Sequence, residues 1–131
     1  MRTETIDVLR QATELWRGDF LADLDAGEWV IFKRESLRQQ FLQALLDLGT
    51  LYLADARYAD AITAYQRALS FDNYVEVAHR ELMLCYARQG EVAQAMRHFD
   101  ELRQWMREEF GAEPSAETLL LYDRLRRGDD V

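Results

Sequence analysis

Apolar positions along this chain recur at steps of three and four residues, the spacing of one face of an α-helix rather than of a strand. Ile6, Leu9, Thr13 and Trp16 predict a first helix over residues 5–16, with Asp7 suited to its first turn and Arg17-Gly18-Asp19 ending it. Phe20, Leu21 and Leu24 then sit within an acidic run of Asp19, Asp23, Asp25 and Glu28, read as a loop or helical turn tucked on the core in preference to an acidic docking motif. Residues 29–55 hold no proline and one glycine, which predicts a single helix of about 40 Å at 1.5 Å per residue. Trp29, Phe32, Leu37 and Phe41 mark its first half. Asp55-Ala56-Arg57 makes a turn, and a second helix follows over residues 58–71. Asn73, with Glu76 three residues on, reads as a capping box for a helix over 74–89 that Gly90 closes. The next helix spans 92–110 and stops at Gly111; Pro114 forbids continuation, and Ser115 caps a last helix to residue 126. Residues 127–131 are expected to fray.

These helices contain an internal repeat. Leu45, Leu48, Gly49, Tyr52, Ala61, Tyr65 and Ala68 return as His79, Leu82, Met83, Tyr86, Ala95, Phe99 and Leu102, each 34 residues later. A period of 34 with an Ala–aromatic–small second helix is the tetratricopeptide pattern. Such repeats stack helix pairs into a curved scaffold that binds other proteins. The expected fold class is therefore all-α: a tetratricopeptide-like right-handed superhelix of antiparallel helix pairs, about six helices. We expect one domain over 1–131, with repeats at about 42–75 and 76–109, an N-terminal helix over 5–16 and a capping helix over 115–126. Leu119, Tyr122 and Leu125 of the capping helix would face the repeats, which otherwise leave an apolar end exposed.

The repeat also divides core from free surface. Leu45, Leu48 and Tyr52 share a stripe that meets Ala61, Tyr65 and Ala68, so these aromatic side chains are packing elements rather than a cofactor box. Glycine inside a helix costs about 1 kcal/mol against alanine, so Gly49 needs a close approach to justify it. A neighbouring stripe carries Leu46, Thr50 and Leu53, and later Arg80, Leu84 and Arg88. First helices of such pairs line the concave face, which makes these six residues the candidate protein-binding groove, suited to an amphipathic acidic peptide or helix. The competing expectation is that the N-terminal and capping helices already fill it.

Composition narrows the class. The formal net charge is −8, and Lys33 is the single lysine among sixteen Lys and Arg residues. An acidic segment is a poor grip for a nucleic-acid backbone, so no direct nucleic-acid binding by this segment is expected. No apolar run approaches the roughly 20 residues of a membrane span, and Met1 to Thr5 lacks the apolar part of a signal peptide. One cysteine cannot form an internal disulfide, which fits a cytoplasmic location.

Chemistry-bearing motifs are sparse. His79 sits at a core repeat position and reads as a buried, satisfied imidazole; His98, beside Phe99, reads as a surface residue. Cys85 lies about 240° around the helix from His79, so the two cannot share a metal, and it reads as a small buried hydrophobe. There is no Gly-rich phosphate loop, nucleophile elbow or His–carboxylate pair at metal spacing. The carboxylates spread along solvated helix faces, and Arg-Gly-Asp at 17–19 and 127–129 reads as a turn tripeptide. No catalytic residue, cofactor or metal site is expected, and the chain reads as a non-enzyme.

The order of segments resembles one family. Trp16-Arg17-Gly18-Asp19-Phe20-Leu21 leads to Trp29-Val30 and a long arginine-bearing helix; two repeats follow, then Gly111-Ala112-Glu113-Pro114-Ser115-Ala116-Glu117 before Leu121-Tyr122. This resembles the bacterial transcriptional activator domain, the tetratricopeptide-like module of Streptomyces antibiotic regulatory proteins and related regulators. Asp19 stands where that family often has proline, and His79 where a larger apolar residue is usual. The resemblance implies a protein–protein interaction and regulatory module, mediating dimerisation or signal relay next to a separate winged-helix DNA-binding domain. The implied partners are proteins: that DNA-binding domain, a homodimer partner or the transcription machinery. The chain would then be either a piece of a regulator or a free-standing relative. The alternative is a free-standing tetratricopeptide peptide-binding adaptor of the chaperone-cofactor type, which Arg80 and Arg88 keep open although the stripe lacks Lys and Asn.

Overall fold

The structure, a computed structural model, describes residues 5, 6, 9, 10 and 27–131. Within those residues all regular elements are helical: α1 (Glu28–Ala54), α2 (Tyr58–Phe71), α3 (Glu76–Arg88), α4 (Val92–Phe110) and α5 (Ala116–Arg126). Thr5, Ile6, Leu9 and Arg10 are helical as well, and Ile6 is buried in the main core. The rest of the expected first helix, the break expected at Arg17-Gly18-Asp19 and the acidic run as far as Asp25 fall outside the described residues.

Consecutive helices pack as hairpins, α1 on α2, α2 on α3 and α3 on α4, while α5 lies on both α3 and α4. All the positions defined by the repeat are buried, from Leu45, Leu48, Gly49 and Tyr52 through to Ala95, Phe99 and Leu102. Most of them join one cluster with Ile6 and Leu125, and Phe41, Leu42, Leu45 and Ala68 form a second cluster at the start of the repeats. Burial of these side chains, at about 25 cal/mol per Å² of apolar surface, is the main force holding the stack together. The chain is all-α and tetratricopeptide-like.

The same turn closes the first helix of each hairpin. Ala56 and Gly90, equivalent in the repeat, both adopt left-handed backbone, with φ of 58° and 85°. Arg57 N–H donates to the Tyr52 carbonyl at 2.8 Å, and Glu91 N–H to the Tyr86 carbonyl at 2.8 Å. This six-to-one closure satisfies carbonyls that the helix end would otherwise leave bare. Gly111 ends α4 in the left-handed region too, at φ 61°.

The expected Asn73–Glu76 capping box does not form. Helix α3 begins at Glu76 behind Val75, and no side chain caps it. Asp72 Oδ1 instead accepts from Tyr74 N–H at 2.9 Å, and the Asn73 carbonyl accepts from a His79 ring nitrogen at 2.9 Å. Glu76 turns away toward the start of α5, where backbone donors lack intrahelical partners.

Candidate protein-binding surface

Helix α5 is joined to α3 by two polar links. The Glu76 carboxylate accepts from Ser115 N–H at 3.1 and 3.0 Å and from the Thr118 hydroxyl at 2.7 Å. One turn on, Arg80 pairs with Glu117 at 3.1 Å. Ser115 caps α5 as expected, its oxygen accepting from Thr118 N–H. Burial of the Glu76 carboxyl opposes its charge, but the hydrogen bonds from Ser115 and Thr118 and the nearby Arg80 outweigh it and hold its pKa below the usual carboxylate range. Beneath this latch, Tyr122 stacks on Phe99 at 4.0 Å and Leu125 is buried.

The six stripe residues divide between the two repeats. Leu46 is half-buried and touches both core clusters, and Leu53 is buried in the main one. The Thr50 hydroxyl donates to the Leu46 carbonyl at 3.0 Å, so its contact with Tyr65 at 3.3 Å is donated by the phenol. Burial pushes that phenol up to about 12, keeping it protonated. Arg80, Leu84 and Arg88 line a cavity of about 320 Å³ with α5, whose Leu120, Leu121 and Arg124 form the opposite wall. Leu46, Thr50 and Leu53 do not line it. Arg80 is held by Glu117, and Arg88 Nε donates to the Val131 carbonyl at 3.1 Å. Leu120, 59% exposed, is the large apolar side chain left open at the edge. Glu81 lines the same cavity, and burial raises its carboxyl above the usual range despite Arg80 and Arg88. At the other end, Arg10 donates to the Tyr52 hydroxyl at 2.8 and 3.1 Å, and the Arg57 guanidinium lies 4.6 Å from the Tyr52 ring centre.

The histidines form an arrangement that single positions do not reveal. His79 is buried as expected, but His98 is half-buried rather than on the surface, its Nε2 3.0 Å from His79 Nδ1. The repeat carried the signal: 34 residues before His98 stands Ala64, which is buried. Burial pushes His98 down to about 4, with His79 adding to the effect, and burial lowers His79 as well. Cys85 is fully buried, and its thiol is pushed up to about 11 by burial. Among the described residues no group of three or more His, Cys, Asp or Glu is placed to hold a metal ion, and no helix is long and apolar enough to cross a membrane.

Residues 2–126 match the family described as the bacterial transcriptional activator domain. The chain belongs to that family. It is 30% identical over 123 residues to the regulatory protein DnrI of Streptomyces peucetius, covering 92% of this chain and 44% of DnrI. It is 27% identical over 125 residues to the transcriptional regulatory protein MoaR1 of Mycobacterium tuberculosis, covering 95% of this chain and 40% of MoaR1. The chain thus spans less than half the length of these relatives. No solved structure matches it closely enough to add to the comparison.

Proposed function

We propose that this chain is a protein–protein interaction and regulatory module of a bacterial transcriptional regulator, acting by dimerisation or signal relay beside a separate DNA-binding domain. The observation that carries the reading is the family match over residues 2–126 together with relatives named as regulators, of which this segment is only 40–44%. A stacked-helix scaffold fits an interaction role, because its function lies in the surface it offers. The net charge of −8 makes direct DNA binding by this segment unfavourable. The reading is that of a non-enzyme working in the cytoplasm.

Both ends of the concave stripe are proposed to take part, with Thr50 and the half-buried Leu46 from α1 and Arg80, Leu84 and Arg88 from α3, while Leu53 packs in the core beneath them. The exposed Leu120 would extend that surface on α5. A free-standing adaptor that clamps a peptide carboxylate needs unengaged cations along this stripe. Arg80 faces Glu117 and Arg88 faces the Val131 carbonyl, which favours the regulatory reading.

Sedimentation of the purified chain, with a low-salt DNA-binding titration in parallel, tests the proposal. We expect self-association, or binding to the remainder of a family regulator, that Leu120→Asp weakens, and no sequence-dependent DNA binding. Tight, sequence-dependent DNA binding by this segment would overturn the reading, as would a strictly monomeric chain that binds no regulator segment.

A further inference from the structure

Helices α2, α3 and α4, with Asn73 between the first two, line a second, open-sided cavity of about 370 Å³ to which α5 contributes no residue. At about 30 Å³ per water-sized unit this has room for roughly a dozen non-hydrogen atoms. Leu69, Leu82 and Leu102 supply its apolar lining, and Trp105 and Tyr86 its aromatic surfaces. Trp105 is fixed from outside by Tyr74, whose ring stacks on it at 5.3 Å. A rigid aromatic wall of this kind loses little entropy when a flat ligand docks.

Hydrogen-bond logic sets the polarity of the cavity. The Asn73 carbonyl can only accept, so His79 Nε2 carries the hydrogen in their 2.9 Å contact. A neutral His79 then has a bare Nδ1, which accepts from His98 Nε2 at 3.0 Å. His98 in turn is left with a bare Nδ1, for which no protein partner is found among the described residues. Burial keeps both rings neutral near pH 7. Gln66 Nε2 donates to the Tyr86 oxygen at 3.4 Å, leaving the Gln66 carbonyl as another acceptor. Glu101, on the same face of α4 as His98, makes no ion pair among the described residues, and no Lys or Arg lines the cavity. Acceptors, the Tyr86 hydroxyl and the Glu101 carboxylate thus surround an aromatic slot with no cation in its lining.

We propose that this cavity is a binding site for a small cationic aromatic amine, with Glu101 facing the ammonium, His98 Nδ1 accepting a hydrogen bond and Trp105 and Tyr86 flanking the ring. An anionic ligand would meet Glu101 with no cation to offset it, so the site selects by charge as well as by shape. This inference does not depend on what the concave face binds.

Tryptamine is a suitable test ligand, with indole-3-acetate as its anionic counterpart of similar size. Titration of the full chain by calorimetry, with NMR shifts of the His98 and Trp105 rings read in parallel, should give saturable one-to-one tryptamine binding. Indole-3-acetate should bind at least about tenfold more weakly. Glu101 is exposed, so Glu101→Gln should leave the melting temperature unchanged while weakening tryptamine about fivefold. His98→Asn should weaken it further in a chain that still melts cooperatively. Equal affinity for the two ligands, shifts confined to residues outside the cavity, indifference to Glu101→Gln, or no binding at millimolar tryptamine would each overturn the assignment.

Discussion

A Cβ on Gly49 would lie 2.7 Å from both Cε1 and Cζ of the Tyr65 ring, closer than carbon atoms tolerate. Tyr65 is 1% exposed and tethered through its hydroxyl to Thr50, so the ring cannot swing clear. This contact is why a helix interior keeps a glycine. Gly49→Ala should therefore reverse the usual gain of about 1 kcal/mol for that exchange and lose about 1–3 kcal/mol through overpacking. Urea unfolding checks the sign: a Gly49→Ala chain more stable than its parent would show that the helices separate freely at this point.

The turn after α1 carries a correctable flaw. Ala56 holds φ 58° where its repeat counterpart is Gly90 at φ 85°. A left-handed alanine costs about 1–2 kcal/mol, part of which glycine returns as unfolded-chain entropy. Ala56→Gly should stabilise the protein by about 0.5–1 kcal/mol, and Gly90→Ala should destabilise it by about 1 kcal/mol. Neither position meets a neighbour that would mask the backbone term, since Ala56 is exposed and a Cβ at Gly90 finds open space. Paired thermal melts of the two variants read both signs.

What could be read from residue order was whatever depends on repetition. The 34-residue shift located the helices and their buried stripes because each position is specified twice, as Tyr52 and Tyr86 or Ala61 and Ala95 show. Features made once, by contact between distant segments, left no local mark. Glu76 looked like the end of a local capping box, yet its partners Ser115 and Thr118 lie 39 and 42 residues away. For His98 the repeat counterpart, buried Ala64, marked an inward position, but its pairing with His79 arises only where α3 meets α4. On the concave stripe, helical geometry chose the face, but the engagement of Arg80 by Glu117 depends on where α5 lands.

The Glu76 latch makes α5 sensitive to acid. Its pKa is lowered on folding, so its contribution is present above the ordinary carboxylate range and fades as pH falls through the lowered value. Charge-assisted hydrogen bonds contribute about 1.5–3 kcal/mol when buried, and partial exposure of this group reduces that to about 1 kcal/mol. Glu76→Ala should lower stability by about that amount and speed amide exchange in α5 more than in α2. Uniform acceleration across all helices would mean that the carboxylate supports the whole stack rather than its last helix.

The histidine pair provides a second pH response of the same direction but in a different window. Both rings have pKa values lowered on folding, His98 to about 4, so the unfolded chain binds protons near pH 6.5 that the folded chain refuses. Stability is therefore full above about pH 6.5 and declines as pH falls toward 4. Between pH 7.5 and pH 5 the loss should be about 1–2 kcal/mol, allowing for partial solvent screening of His98. Repeat one places Leu45 and Ala64 where repeat two has His79 and His98. The double variant His79→Leu, His98→Ala copies those residues and removes both titrating groups. Its urea midpoint should change little between pH 7.5 and pH 5, while that of the parent falls. An equal fall in both would place the acid sensitivity in the carboxylates and leave the imidazoles without a part in it.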